Sequence, residues 1–144
     1  MKKSSASSLE LIINLTKAAS KLSRKIEGPL SVRGIGYTEF IILHHLSNAP
    51  ANKMRRIDMA DLMGMTASGI TRLLAPMEKI GLVSREANER DARVSYVVIA
   101  PAGQRIYDES LPEAQYLAEG LVGAEKLKQT DVLHSALQEL AGGL

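Results

Sequence analysis

Residues 64–74, Gly-Met-Thr-Ala-Ser-Gly-Ile-Thr-Arg-Leu-Leu, decide the fold. Gly64 accepts the left-handed backbone that closes one helix, and Thr66 offers a side-chain oxygen that caps the next. Before this turn, a short helix from about Arg56 to Met63 contributes Ile57, Met59, Ala60 and Leu62. After it, the spacing predicts a helix from Ala67 to about Ile80. That helix turns Ile70, Leu73, Leu74, Met77 and Ile80 inward and leaves Ser68, Thr71 and Arg72 outside. Two short helices joined so tightly form a helix-turn-helix. Pro76 falls inside the second helix, where it cannot donate to the carbonyl of Arg72. A kink or local loosening is expected there, with the first turns intact.

Downstream of Gly81 the apolar period shifts. Leu82 to Glu86 and Val94 to Ile99 read as two strands around the charged loop from Ala87 to Arg93. Pro101 suits the first turn of a helix that continues to Glu119, and a last helix spans about Glu125 to Ala141. Upstream, Leu9, Ile12, Ile13, Leu15, Ala18, Ala19, Leu22 and Ile26 give one greasy face to a helix from Ser8 to about Glu27, stopped by Gly28 and Pro29. Thr38 is placed to cap a second helix, Glu39 to about Asn48, with Phe40, Ile41, Leu43 and Leu46 buried. The expected class is mainly α with a small β-hairpin, in the order helix, helix, helix-turn-helix, hairpin, helix, helix.

A chain of 144 residues with 45% apolar content is enough for one packed core. Cysteine is absent, which excludes disulfides, thiolate metal sites and thiol redox sensing. The basic, serine-rich start lacks a continuous apolar region of the signal-peptide kind, and no stretch approaches a membrane span, so a cytoplasmic protein without membrane contact is expected. Net charge is only +2, but it is unevenly spread: residues 1–52 carry +4, residues 53–105 carry +3 and residues 106–144 carry −5. That distribution suits a molecule whose middle meets phosphates while its last helix does not.

From Thr66 to Gly103 the chain resembles the MarR family of bacterial regulators. Thr66 to Leu74, followed by Met77-Glu78-Lys79-Ile80-Gly81-Leu82-Val83, is similar to that family's recognition helix and its exit. Asp91-x-Arg93, the alternating strand after it and Pro101-Ala102-Gly103 are similar to its wing motif and the start of its dimer helix. The resemblance implies a winged helix-turn-helix with flanking helices for dimerisation. It divides the chain into an N-terminal dimerisation helix and linker at 1–34, a DNA-binding domain at 35–100 and C-terminal dimerisation helices at 101–144. Four features depart from the family pattern, the most unexpected being Pro76 inside the recognition helix. Arg55-Arg56 stands where Thr or Ser often opens the short helix, Ala100 replaces a Thr, and Asp91-Ala92-Arg93 lacks the middle arginine of the commonest wing.

On this basis Thr66, Ser68, Thr71 and Arg72 are the candidate recognition-helix residues, since the beginning of such a helix meets base edges in the major groove. Arg90, Asp91 and Arg93 are the candidate wing residues. A cationic loop suits a narrow minor groove, and Asp91 would hold an arginine in place. Lys53, Arg55 and Arg56 are either phosphate contacts or plain surface charges. Tyr37, His44 and His45 mark a candidate pocket for a small aromatic or anionic effector. The alternative, favoured on sequence, has one histidine packed at a helix interface and the other facing water. No cofactor or metal is expected, because His134 is the only other histidine.

The apolar faces of the terminal helices call for a second copy of the chain. A repressor is expected, acting as a homodimer on near-palindromic double-stranded DNA and released by an effector. The alternative is a helical protein–protein interaction module. Enzymatic function is not expected, for want of a phosphate-binding glycine loop, a nucleophile elbow or a metal-hydrolase spacing.

Overall fold

The computed structural model describes residues 7–123 and 126–144. Its elements are α1 (Ser8–Val32), α2 (Tyr37–Ser47), a 3-10 turn (Pro50–Asn52), β1 (Lys53–Arg55), α3 (Arg56–Leu62), α4 (Ala67–Lys79), β2 (Val83–Ala87), β3 (Ser95–Ile99), α5 (Pro101–Val122) and α6 (Thr130–Gly142). The chain forms two compact units, residues 30–112 and the terminal segments up to residue 29 and from residue 113. Among the described residues, no helix is long and apolar enough to cross a membrane.

In the 30–112 unit, the expected hairpin is joined by a third strand. The order is β1-β3-β2, all antiparallel, with Met54 opposite Val97 and Arg85 opposite the same residue from the other side. Three residues between a turn and a helix carry no readable alternation, which is why β1 escapes a sequence reading. Central β3 buries Val97 and Ile99, while β2 buries only Val83. Against this sheet lies α2, whose Ile42, Leu43 and Leu46 are wholly buried. Ile42, and not the expected Ile41, is the fully buried isoleucine, because α2 is enclosed over a broad arc and not along a single stripe. The cap of α2 is Gly36, with no side-chain bond, and Thr38 lies inside the helix.

Other boundaries differ from expectation for physical reasons. Helix α1 runs through Gly28 and Pro29 to Val32. A proline inside a helix costs about 3 kcal/mol. Burial of Ile26 and Leu30, one turn apart, is of comparable size at about 1.5–3 kcal/mol per side chain. Helix α4 likewise runs without a break through Pro76, which is exposed. Ile80 caps the C-terminus of α4 and is 65% exposed, and Ile57 and Leu62 of α3 are exposed as well, so these three do not join the core. The expected start of the last helix at Glu125 lies outside the described residues; α6 begins at Thr130.

A close backbone approach occurs in this unit at Gly103, in the first turn of α5. A Cβ added there would lie 2.0 Å from the carbonyl oxygen of Leu82, so only glycine fits without moving backbone. That carbonyl also accepts a hydrogen bond from the Ala100 N–H at 3.0 Å. Gly103→Ala is expected to lower stability by about 3 kcal/mol through overpacking, seen as a marked fall in melting temperature. Gly28→Ala, where an added Cβ meets nothing, serves as the control and is expected to stabilise by up to about 1 kcal/mol. Equal melting temperatures for the two variants would contradict the close approach.

Candidate nucleic-acid interface

The turn between α3 and α4 is built as its residue types require. Gly64 sits at φ +62°, and the Gly64 N–H donates to the Asp61 carbonyl at 3.0 Å, closing α3. Thr66 caps α4 by accepting from the Gly69 N–H at 3.0 Å. The first turns of α4 are thereby held while Ser68, Thr71 and Arg72 stay exposed. The Arg72 side chain has no hydrogen-bond or ion-pair partner among the described residues, leaving its five donors for an outside partner. With Ala67, these three side chains line one shallow surface depression.

The loop between β2 and β3 is organised by its own polar residues. Asn88 accepts from the N–H groups of Arg90 (2.8 Å) and Asp91 (3.2 Å), and its side-chain amide donates to the Tyr96 hydroxyl at 3.0 Å. Asp91 Oδ1 accepts from the Arg93 backbone N–H at 3.0 Å and from its Nε at 3.1 Å, while Oδ2 accepts from Nη2 at 3.2 Å. The guanidinium is gripped along one edge, yet the Arg93 side chain remains 91% exposed. The expected pairing of Asp91 with an arginine is thus present in the geometry. The side-chain bond from Arg93, reinforced by its backbone N–H, holds the Asp91 carboxyl below the usual aspartate range. Arg90 is exposed at the same tip.

The three basic residues near α3 have separate fates. Lys53 reaches Glu86 at 2.7 Å and stands 5.0 Å from the centre of the Tyr96 ring, so it ties β1 to β2 across β3. Its bond to Glu86 raises the ammonium pKa above the ordinary value. Arg56 is largely buried and donates to Glu78 Oε1 at 2.8 Å, joining α3 to α4. It is therefore a joint inside the helix-turn-helix and not a surface charge. Arg55 precedes α3 and donates through Nε and Nη2 to the two carboxylate oxygens of Asp58, at 2.9 and 3.1 Å. That bond depresses the Asp58 carboxyl. Arg55, Arg56, Ile57, Ala67, Ile70, Thr71, Arg93, Val94 and Ser95 together line a groove of about 390 Å³ between α3, α4 and the base of the hairpin.

Away from this face, His44 Nδ1 lies 2.8 Å from the Tyr107 hydroxyl, and Phe40 stacks on Tyr107 with ring centres 5.3 Å apart. His45 is half-buried; burial, and then the neighbouring His44, lower its pKa. Tyr37 opens α2 and is half-buried. The two histidine rings are 5.8 Å apart. Tyr107, Asn88, Asp58 and Glu78 are structural partners that a motif reading passes over. Two of them have a local signal: Asp58 in its three-residue spacing from Arg55, and Asn88 in its turn onto the N–H groups of Arg90 and Asp91.

A capped helix exposing a short polar row, flanked by a hairpin with an arginine tip, defines a winged helix-turn-helix. Residues 35–95 match the model of the MarR family. It is 28% identical over 107 residues to the HTH-type transcriptional repressor YetL of Bacillus subtilis (strain 168). The match covers 74% of this chain but 64% of that protein's length. Among solved structures, the fold is shared with Sco3205, a MarR family transcriptional regulator from Streptomyces coelicolor crystallised in complex with DNA. There the TM-score is 0.83 at 20% identity, over 99% of this chain and 92% of the other. It is shared also with CouR from Rhodococcus jostii RHA1 bound to p-coumaroyl-CoA, with a TM-score of 0.81 at 18% identity over 96% of each chain.

The bond from Arg93 sets the sign of a pH effect. Because the Asp91 pKa is depressed in the folded chain, the pair's contribution is complete above the ordinary aspartate range and lost as the pH falls through the lowered value. In Arg93→Ala, the Asp91 carboxyl should titrate at higher pH than in the parent, as followed by NMR of the side-chain carboxyl carbon. Identical titration curves would show that the pair does not persist in solution.

Proposed function

We propose that this chain is a cytoplasmic DNA-binding transcriptional repressor that binds a near-palindromic operator as a homodimer and is released by a small-molecule effector. One observation carries the proposal: Ser68, Thr71 and Arg72 stand exposed on a capped helix, beside a hairpin whose Arg93 is braced by Asp91 yet open to solvent. In the proposed complex, the start of α4 enters the major groove, where Arg72 donates to a guanine edge or a phosphate. Arg93, with Arg90 beside it, enters the adjacent minor groove, where negative potential is concentrated. That YetL is a transcriptional repressor supports repression over activation, and the DNA complex of Sco3205 supports the ligand class.

Dimerisation is supported by the terminal segments. Leu9, Leu11, Ile12 and Ile13 of α1 are each more than half exposed in the single chain, and so is Val132 of α6; Leu133, Leu137 and Leu140 are 40–48% exposed. Such apolar area is costly in water, and a second copy would cover it. Segments 1–34 and 101–144 would then serve dimerisation, and 35–100 would serve DNA binding. Two-fold pairing spaces the recognition helices by about one DNA turn, roughly 34 Å. CouR, crystallised with p-coumaroyl-CoA, supports an effector that is aromatic or anionic; Tyr37, His44 and His45 are the candidate contacts. An effector shifts the population of DNA-competent dimers only by binding one state more tightly. The proposed activity is binding without chemical turnover. The interaction-module alternative gains no comparable support.

Selection of bound fragments from random duplex DNA, followed by footprinting, tests the proposal. A two-fold site is expected, with affinity falling steeply as salt rises. Arg72→Ala should erase most of the preference for that site over random DNA, and Arg93→Ala should weaken binding at least tenfold while the dimer stays folded. A stable monomer without preference for any duplex would refute it.

A further inference from the structure

Three arginines line the groove between α3, α4 and the hairpin, and two of them are held alike. Asp58 grips Arg55 through Nε and Nη2, and Asp91 grips Arg93 through the same two nitrogens. Neither pair is buried; the Arg55 and Arg93 side chains are 50% and 91% exposed. Exposed ion pairs of this kind add little to folding stability. Their effect is on orientation: each carboxylate locks one edge of a guanidinium, and Nη1 of each carries no partner among the described residues. The third arginine, Arg56, is consumed by Glu78.

We propose that Arg55, oriented by Asp58, seats one backbone phosphate of duplex DNA at the edge of this groove, whose far side carries the Arg93 that reaches the minor groove. The inference rests on the regulator function proposed above and names a contact within it. If α4 occupies the major groove and the hairpin tip the next minor groove, the strand separating those grooves must cross between them. The groove lined by both arginines lies there, with exposed Ile57 offering apolar surface to a deoxyribose. A phosphodiester is the chemistry that matches the free edge of a braced guanidinium. Asp58 is a positioning residue, acting through Arg55, and the seat adds affinity without reading sequence.

The test measures binding of the purified full chain to its selected operator and to random duplex over a range of salt. Arg55→Ala should weaken both by a similar factor, about tenfold, and should reduce the salt slope by about one per protomer. Arg55→Lys should restore most of the slope. Asp58→Asn should weaken binding in the parent, yet have no further effect on Arg55→Ala, as expected if it acts only through that arginine. Melting curves identify variants that remain folded. Two results overturn the proposal: an unchanged salt slope in folded Arg55→Ala while the parent still binds its operator, or an Asp58→Asn effect equally large without Arg55. A parent protein that binds no duplex at all defeats the regulator function, and the seat with it.

Discussion

The carbonyl of Leu82 is the point on which the winged helix-turn-helix depends. Leu82 donates its N–H to the Met77 carbonyl at the end of α4, at 2.9 Å, and its own oxygen accepts from Ala100 after the hairpin. Gly103 brings the first turn of α5 directly onto that oxygen. One residue therefore links the exit of the recognition helix, both ends of the hairpin and the start of the next helix. A backbone junction of this kind has no slack, because interiors are packed as densely as organic crystals. The orientation of the hairpin relative to α4, within this unit, is set there and not by the hairpin's exposed tip.

Around this junction the charged residues divide by what holds them. Arg56 and Lys53 are consumed by Glu78 and Glu86, so they fasten α3 to α4 and one outer strand to the other. Arg55 and Arg93 are gripped by aspartates yet remain exposed, and Arg72 is held by none. Arg56, the least exposed of these cations, cannot leave the half-buried Glu78 cheaply for a phosphate, since that carboxylate would stay behind unpaired. A cation braced in water has no such penalty. The same residue type thus serves two ends, and exposure decides which.

Much of this was legible in the residues. Gly64 and Thr66 specify a tight turn by local backbone chemistry, and Ile70, Leu74 and Met77 mark the inner face of α4 by spacing alone. Asp91 and Arg93 are two residues apart, so their pairing needs no distant information. Local signals yield where long-range burial outweighs them. Leu30 carries α1 past Pro29, and β1 exists because β3 offers it a partner.

By itself, the sequence determined which short segments become helices and strands, where the polar row of the recognition helix lies, and which family the chain resembles. Those are properties of near neighbours, governed by capping, turn chemistry and apolar period. Only the tertiary structure decided that Arg56 is a joint while Arg55 is free to face a ligand, that Asn88 and Tyr96 shape the hairpin loop, and that Tyr107 meets His44 across 63 residues. Those outcomes depend on which side chains the packing brings together and how much water it leaves them, and neither quantity is encoded in any local stretch of residues.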